Sequence, residues 1–260
     1  MSNERQQRAA RAEQMRKERE KASRRQRNLI SVAIVVVVVG LIGLGTWAVK
    51  AESDRNATSD KLTTPASATS DFGVLYDTAA AGGKLSADAP KPVEVVLYED
   101  FQCPACQAFE SANGAYLQQA VTEGQITVEY RPIAFLDRAS STEYSTRSGN
   151  AALCVLEDTD ATTFKAMHDL LYANQPAENT AGLTNDELVE MGKQAGADDI
   201  ETCVRKRTYG PWLADATDAS RDAGVSATPT VMVAGKEVTG AGGGSPTSAD
   251  LQKAIEAAAA

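Results

Sequence analysis

The apolar pattern begins before any alternation does. From Asn28 to Val49 the chain runs for 22 residues without a charge, including the apolar stretch Ile34–Val39. At about 1.5 Å per residue that is a helix of roughly 33 Å, enough to cross a hydrocarbon core of about 30 Å. Val and Ile form helices poorly in water, but in lipid the backbone has no other partner, so a membrane helix is expected over 28–50. Trp47 suits its outer interface. Residues 51–71 are polar and small and read as a flexible tether. Phe72–Tyr76 then predicts a short edge strand, and Val93–Tyr98, after Pro90 and Pro92, a β-branched strand. A helix is expected from Cys103-Pro104 to about Glu123, closed by Gly124, with Ile126–Tyr130 as the next strand.

A helical block follows from about Ser141 to Ala223. Thr184-Asn185-Asp186-Glu187 and Asp198-Asp199-Ile200-Glu201 both fit the capping box, each leading into a short helix. Gly196 closes the first, and Gly210-Pro211 separates the second from a helix around Pro211–Arg221. Thr230–Val233 reads as a strand, Ala234–Glu237 as a turn, Val238-Thr239 as the hairpin partner and Ala249–Ala259 as a closing helix. The order β–α–β, helical block, α–β–β–α is that of an α/β thioredoxin-type framework with a helical insertion at about 141–208. The expected domains are therefore a basic segment (1–27), a single N-terminal transmembrane helix (28–50), a tether (51–71) and the α/β domain (72–260).

Charge sharpens this division. The chain has 26 Lys and Arg against 35 Asp and Glu, a formal charge of −9. Residues 1–27 hold ten of the basic and four of the acidic side chains, while 51–260 hold 15 basic and 31 acidic. A cationic preamble keeps the N-terminus cytoplasmic and places everything after Lys50 outside the membrane. The weak cleavage site Val49-Lys50-Ala51 is the rival reading, opposed by the long charged preamble and the length of the apolar span. An acidic domain excludes a general nucleic-acid binder, which needs a clustered cationic face. With one His and four Cys, a His-based metal centre is not expected, and sulfur is the chemistry to follow.

Cys103-Pro104-Ala105-Cys106 falls where a strand runs into a helix. There the unpaired amides and the positive end of the helix dipole stabilise a thiolate on the first Cys. Pro104 costs nothing at such a point, since its missing N–H would be unpaired anyway. The i, i+3 spacing sets Cys106 beside Cys103, close enough to resolve a mixed disulfide. Half a zinc site or an inert disulfide remain alternatives, although zinc needs two further ligands nearby.

Tyr98-Glu99-Asp100-Phe101-Gln102-Cys103-Pro104-Ala105-Cys106 resembles the active-site segment of DsbA-like thiol–disulfide oxidoreductases, especially the membrane-tethered actinobacterial type. Ser226-Ala227-Thr228-Pro229-Thr230-Val231 resembles that family's cis-proline loop, and Phe164–Gln175 its insertion helix; the likeness covers roughly 72–259. It implies that Cys103 and Cys106 are catalytic, and that Pro229 is cis against the CxxC. Thr228 would then offer backbone groups to an extended substrate. Cys154 and Cys203 would form a structural disulfide, as an oxidising compartment also favours; two independent buried thiols are the alternative. One departure stands out: where several relatives carry a buried acid, six residues before the first Cys, this chain has Leu97. Glu99, on the same strand face, and Asp100, on the other, are the candidates for proton transfer to Cys106.

The expected function is transfer of the Cys103–Cys106 disulfide to exported proteins with cysteines. Turnover needs a membrane reoxidant, and the resemblance suggests a vitamin K epoxide reductase homologue. A thiol reductase or isomerase, for example in cytochrome c maturation, is the first alternative, and a non-catalytic binding module or metal chaperone the second. No cofactor is expected, because Gly240–Ser245 lacks the GxGxxG spacing and βαβ context of a dinucleotide loop and reads as a flexible turn. His168, without a second ligand in the chain, is expected to cap or pack.

Overall fold

The computed structural model describes residues 62–86 and 88–260. The expected basic segment and membrane helix lie outside the described residues, as does most of the tether. Among the described residues no helix is long and apolar enough to cross a membrane.

Leu62–Ala260 form one compact unit. Its sheet has five strands: β1 (Val74–Tyr76), β2 (Val93–Glu99), β3 (Ile126–Pro132), β4 (Thr230–Val233) and β5 (Lys236–Glu237), in the spatial order β1-β3-β2-β4-β5. β2 and β3 run parallel with Val95 opposite Val128, and the other pairs are antiparallel. The parallel pair needs a crossover, supplied by α1 (Pro104–Thr122). Alternation on β2 divides the core. Val95 and Leu97 join the main cluster with Phe109, Leu117 and Val231, while Val96 and Tyr98 meet Ile133 and Val225 in a smaller one. A strand buried on both faces reads as a near-continuous apolar run, which Val93–Tyr98 does.

The insertion contains α2 (Tyr144–Asp158), α3 (Ala161–Ala173), α4 (Asn185–Ala195) and α5 (Glu201–Lys206), followed by α6 (Gly210–Asp222) and the closing α7 (Ser248–Ala259). α4 starts on the expected capping box at Thr184 and ends at Gly196, whose φ of 117° only glycine adopts freely. The second expected box does not form. α5 begins after Ile200 without a side-chain cap, because the amides of Asp198 and Asp199 donate instead to Asp158 Oδ2 on α2. The hairpin also differs: Ala234 and Gly235 alone make the turn, with φ of 47° and 75°, so its partner strand is Lys236–Glu237 and not Val238-Thr239. Two successive positive φ values suit a two-residue turn, which shortens the loop.

Residues 62–71 are not a tether. Leu62 and Ala68 pack on the main core, Ala68 bridges Val74, and the Ala66 amide donates to Glu157 Oε2 at 2.8 Å. The Thr69 hydroxyl donates to Glu129 Oε1 at 2.6 Å. Polar composition concealed a hook whose binding depends on backbone and hydroxyl donors. Gly73 is needed beside it, since a Cβ there would lie 2.0 Å from Glu129 Oε1.

Candidate active site

Cys103 is the N-cap of α1, extended at φ −78° and ψ 116°, with Pro104 in the first turn. No side chain caps the helix, so its first amides face the sulfur. The preceding loop is held from several directions. Asp100 Oδ1 accepts from the Gln102 amide at 2.9 Å and its Oδ2 from the Leu136 amide at 2.8 Å. From beyond α3, the Gln175 side-chain amide donates to the carbonyls of Phe101 and Cys103, each at 3.0 Å, and Gln107 Nε2 donates to the Tyr172 carbonyl at 2.8 Å. The insertion thereby clamps the loop that carries the dithiol.

Thr228-Pro229 is a cis peptide. The Cys103 thiol lies 3.3 Å from the Thr228 carbonyl, its acceptor. An open groove of about 420 Å³ runs from Tyr98 past Val225–Met232 to the Gly243–Pro246 segment. The Gly-rich stretch, expected to be no more than a flexible turn, therefore forms a wall of that groove.

The two sulfurs are unbonded and differ sharply. Hydrogen bonding from the Cys106 thiol, with the Thr228 side chain and the Ala105 and Cys106 amides, outweighs burial and brings Cys103 down to about 6. Burial pushes Cys106 well above the ordinary thiol value, and the Cys103 hydrogen bond and the Glu99 charge add to that. One sulfur is a ready nucleophile and leaving group; the other holds its proton until something removes it.

The two proton-transfer candidates part company. Asp100 is fully buried, and burial raises its carboxyl to about 6 against its two amide donors; both oxygens are engaged in bracing the loop. Glu99 is buried on the Cys106 side, its Oε2 3.0 Å from His168 Nε2. His168 does pack, as expected, but it is also paired: Nδ1 lies 3.2 Å from Asp169 Oδ1. Sequence reasoning missed Gln107, Gln175 and Glu110. The only signal was their place on the Cys106 helix or the insertion helix, which does not separate them from ordinary surface residues. Cys154 and Cys203 are bonded to each other, joining α2 to α5 with Cα atoms 5.9 Å apart.

Glu99, Glu110 and His168 place ligand-type atoms within 4.8 Å of one another, the one such group among the described residues. Each His168 nitrogen faces a carboxylate, so each must donate a proton, and neither keeps a lone pair for a metal.

Residues 83–257 match the family model described as Thioredoxin. The oxidised crystal structure of Mycobacterium tuberculosis DsbA is 30% identical, with a TM-score of 0.59, and the match covers 72% of this chain and 92% of that one. Disulfide bond formation protein D of Bacillus subtilis is 25% identical over 153 residues, 56% of this chain and 65% of the relative. The serine/threonine-protein kinase PknE of M. tuberculosis is 29% identical over 167 residues, 62% of this chain; these span only 29% of the kinase. With a parallel β2–α1–β3 unit, a CxxC at the helix N-terminus and a cis-proline loop against it, the chain belongs to the thioredoxin family, in its DsbA-like branch.

Proposed function

We propose that the protein is an extracytoplasmic, membrane-anchored thiol–disulfide oxidoreductase that passes its Cys103–Cys106 disulfide to exported proteins. The observation that carries this is the split between the two sulfurs: Cys103 is lowered and bonded to Thr228, which lines the groove, while Cys106 is raised and completely enclosed. A substrate thiolate attacks Cys103 Sγ, forming a mixed disulfide and expelling the Cys106 thiolate, which takes up a proton. A second substrate thiolate then attacks its own sulfur partner, and Cys103 leaves as the stabilised thiolate. Thr228, beside cis-Pro229, holds the substrate segment in extended form, and the backbone groups of this loop supply the strand-like contacts. One of the relatives, from Bacillus subtilis, is named for disulfide bond formation, which supports the direction of transfer.

Reoxidation runs the exchange in reverse with a membrane quinone-coupled partner such as a vitamin K epoxide reductase homologue. The charge-free span 28–49 and the cationic preamble support the anchor. The test is refolding of reduced, denatured ribonuclease by the oxidised full chain, with insulin reduction assayed alongside. Stoichiometric ribonuclease activation with weak insulin reduction is expected, and Cys103→Ser abolishes it. Strong insulin reduction without ribonuclease activation would assign the protein to the reductase reading instead.

A further inference from the structure

The groove beside the cis-proline loop does not end at Gly224. Residues 224–226, which line it, also line a second open groove of about 420 Å³, whose remaining walls are Phe135, Arg138 and Arg221. Residues 51–260 hold 31 acidic side chains against 15 basic. Even so, both charged groups lining this extension are arginines.

The two arginines stand on a braced frame. Arg138 sits in the short 3-10 turn Asp137–Ala139, and the loop ahead of Cys103 grips that turn on either side. Asp100 Oδ2 accepts from the Leu136 amide at 2.8 Å, and Gln102 Nε2 donates to the Ala139 carbonyl at 3.1 Å. Asp137, the acid next to Arg138, is occupied elsewhere, accepting from the amide and the hydroxyl of Thr146. Arg138 is exposed and has no ion pair among the described residues. Arg221, on α6, lies over the half-buried Phe135 ring at 5.0 Å and donates to Asp218 Oδ1 at 2.6 Å. Its planar fork has further donors to offer. Phe135 packs on the smaller core with Val225, so the arginines and the loop that carries Thr228 share one support.

We propose that Arg138 and Arg221 read an acidic side chain of the substrate, close to the cysteine that exchanges with Cys103; this rests on the exchange function. A substrate sulfur joined to Cys103 lies beside Thr228, whose carbonyl is 3.3 Å from Cys103 Sγ. From Thr228 back to Ser226 is two residues of chain, and an extended segment laid along them advances about 3.3 Å per residue. A carboxylate about two to four positions from the substrate cysteine therefore reaches the extension. There a guanidinium fork takes both of its oxygens. The arginines take no part in the bonds that change; they select which cysteine is presented. Since the rest of the domain is acidic, they also fix the sense in which an acidic segment lies. The favoured substrate is a cysteine with Asp or Glu on one particular side of it.

The experiment uses the oxidised full chain and short reduced peptides with one central cysteine, alike except for Glu, Gln or Lys about three positions before or after it. Reduction of the Cys103–Cys106 disulfide is followed at pH 7 by acid quench and mass spectrometry. In about 0.1 M salt, charges beyond about 10 Å are screened. Exposed ion pairs are weak, so Glu on one side should react about five-fold faster than Gln, and Lys slower than either. The gain should fade in about 1 M salt. Arg138→Gln should remove about half of it, and Arg138→Glu with Arg221→Glu should reverse it. Comparing the same peptides across proteins cancels differences in their own thiol acidity. Lys193→Glu with Lys253→Glu changes the net charge equally at two exposed sites outside both grooves and should keep the gain. Parent rates that do not distinguish Glu from Gln, or equal gains on both sides, overturn the proposal. So does a gain that survives in a folded Arg138→Glu, Arg221→Glu chain or is lost in the lysine control. Failure of every peptide to reduce the disulfide overturns the exchange function itself.

Discussion

A thiol at a helix N-cap loses its proton readily because the amides of the first turn have nothing else to bind. Here the hydrogen bond from the Cys106 thiol is the largest cause and the first-turn amides add to it; at about 6, Cys103 is mostly thiolate at neutral pH. Its absorbance near 240 nm should titrate at about pH 6, and alkylation by iodoacetamide should slow about ten-fold per unit below that. Linkage gives a second reading. The depressed value stabilises the reduced protein fully above the unfolded thiol's 9.0, and this stabilisation is lost as pH falls through about 6. Reduction of the disulfide takes up two protons below pH 6 and one above it. The potential should accordingly fall by about 59 mV per pH unit below that point and by about 30 mV above it. A single slope across pH 4–8 would contradict the assignment. Ala105 contributes only its amide; Ala105→His adds a donor to the same sulfur and should lower its pKa further and make the disulfide more oxidising. An unchanged absorbance titration in that variant would mean that the dipeptide does not set the poise.

At the scale of elements, the insertion is held by two different devices. The Cys154–Cys203 bond links α2 to the six-residue α5 across 49 residues of chain. A helix that short is not stable alone. The chain-entropy argument gives about 4 kcal/mol for such a loop, an upper figure. The double variant Cys154→Ala, Cys203→Ala should lose up to about that much in urea unfolding while ribonuclease activation by the folded protein persists. Lost exchange with intact folding would make this pair an electron relay. The Thr184–Glu187 box serves α4, with reciprocal bonds to both backbone amides. Thr184→Ala should cost about 1 kcal/mol, and an unchanged urea midpoint would show that α4 is held by its packing alone. Both boxes looked alike in sequence, but only one formed. The Asp198 and Asp199 amides found Asp158 on a neighbouring helix, a partner that local spacing cannot reveal.

Across the whole molecule, the hook at 62–71 decides where the domain begins. The Thr69 hydroxyl and Arg131 together satisfy the buried Glu129, and Arg131 in turn donates to the Tyr98 hydroxyl at 2.7 Å. A chain beginning at residue 62 should retain the stability of the longer protein. One beginning at residue 72 loses the Thr69 and Ala66 bonds, one of them to a buried carboxylate, and should be weaker by about 2 kcal/mol or more. Equal urea midpoints for the two would restore the reading of 62–71 as a tether.

By itself, the sequence determined most of the elements and placed the dithiol at a helix start. Val93–Tyr98 reads as strand because its apolar run puts Val93, Val95 and Leu97 on one face and Val96 and Tyr98 on the other, and Cys103-Pro104 suits a helix start because proline loses no hydrogen bond in the first turn. These are local facts, set by stereochemistry within a few residues. The tertiary structure alone decided which acid faces Cys106, because Glu99 and Asp100 are adjacent and differ only in what folds over them. It alone brought His168 from the insertion onto Glu99, across 69 residues, and gave Glu110 its enclosure. It also turned a polar stretch into a hook by supplying Glu129 and Glu157 as acceptors. Proton affinity and backbone pairing depend on burial and on distant partners, and neither quantity is defined until the chain has closed around them.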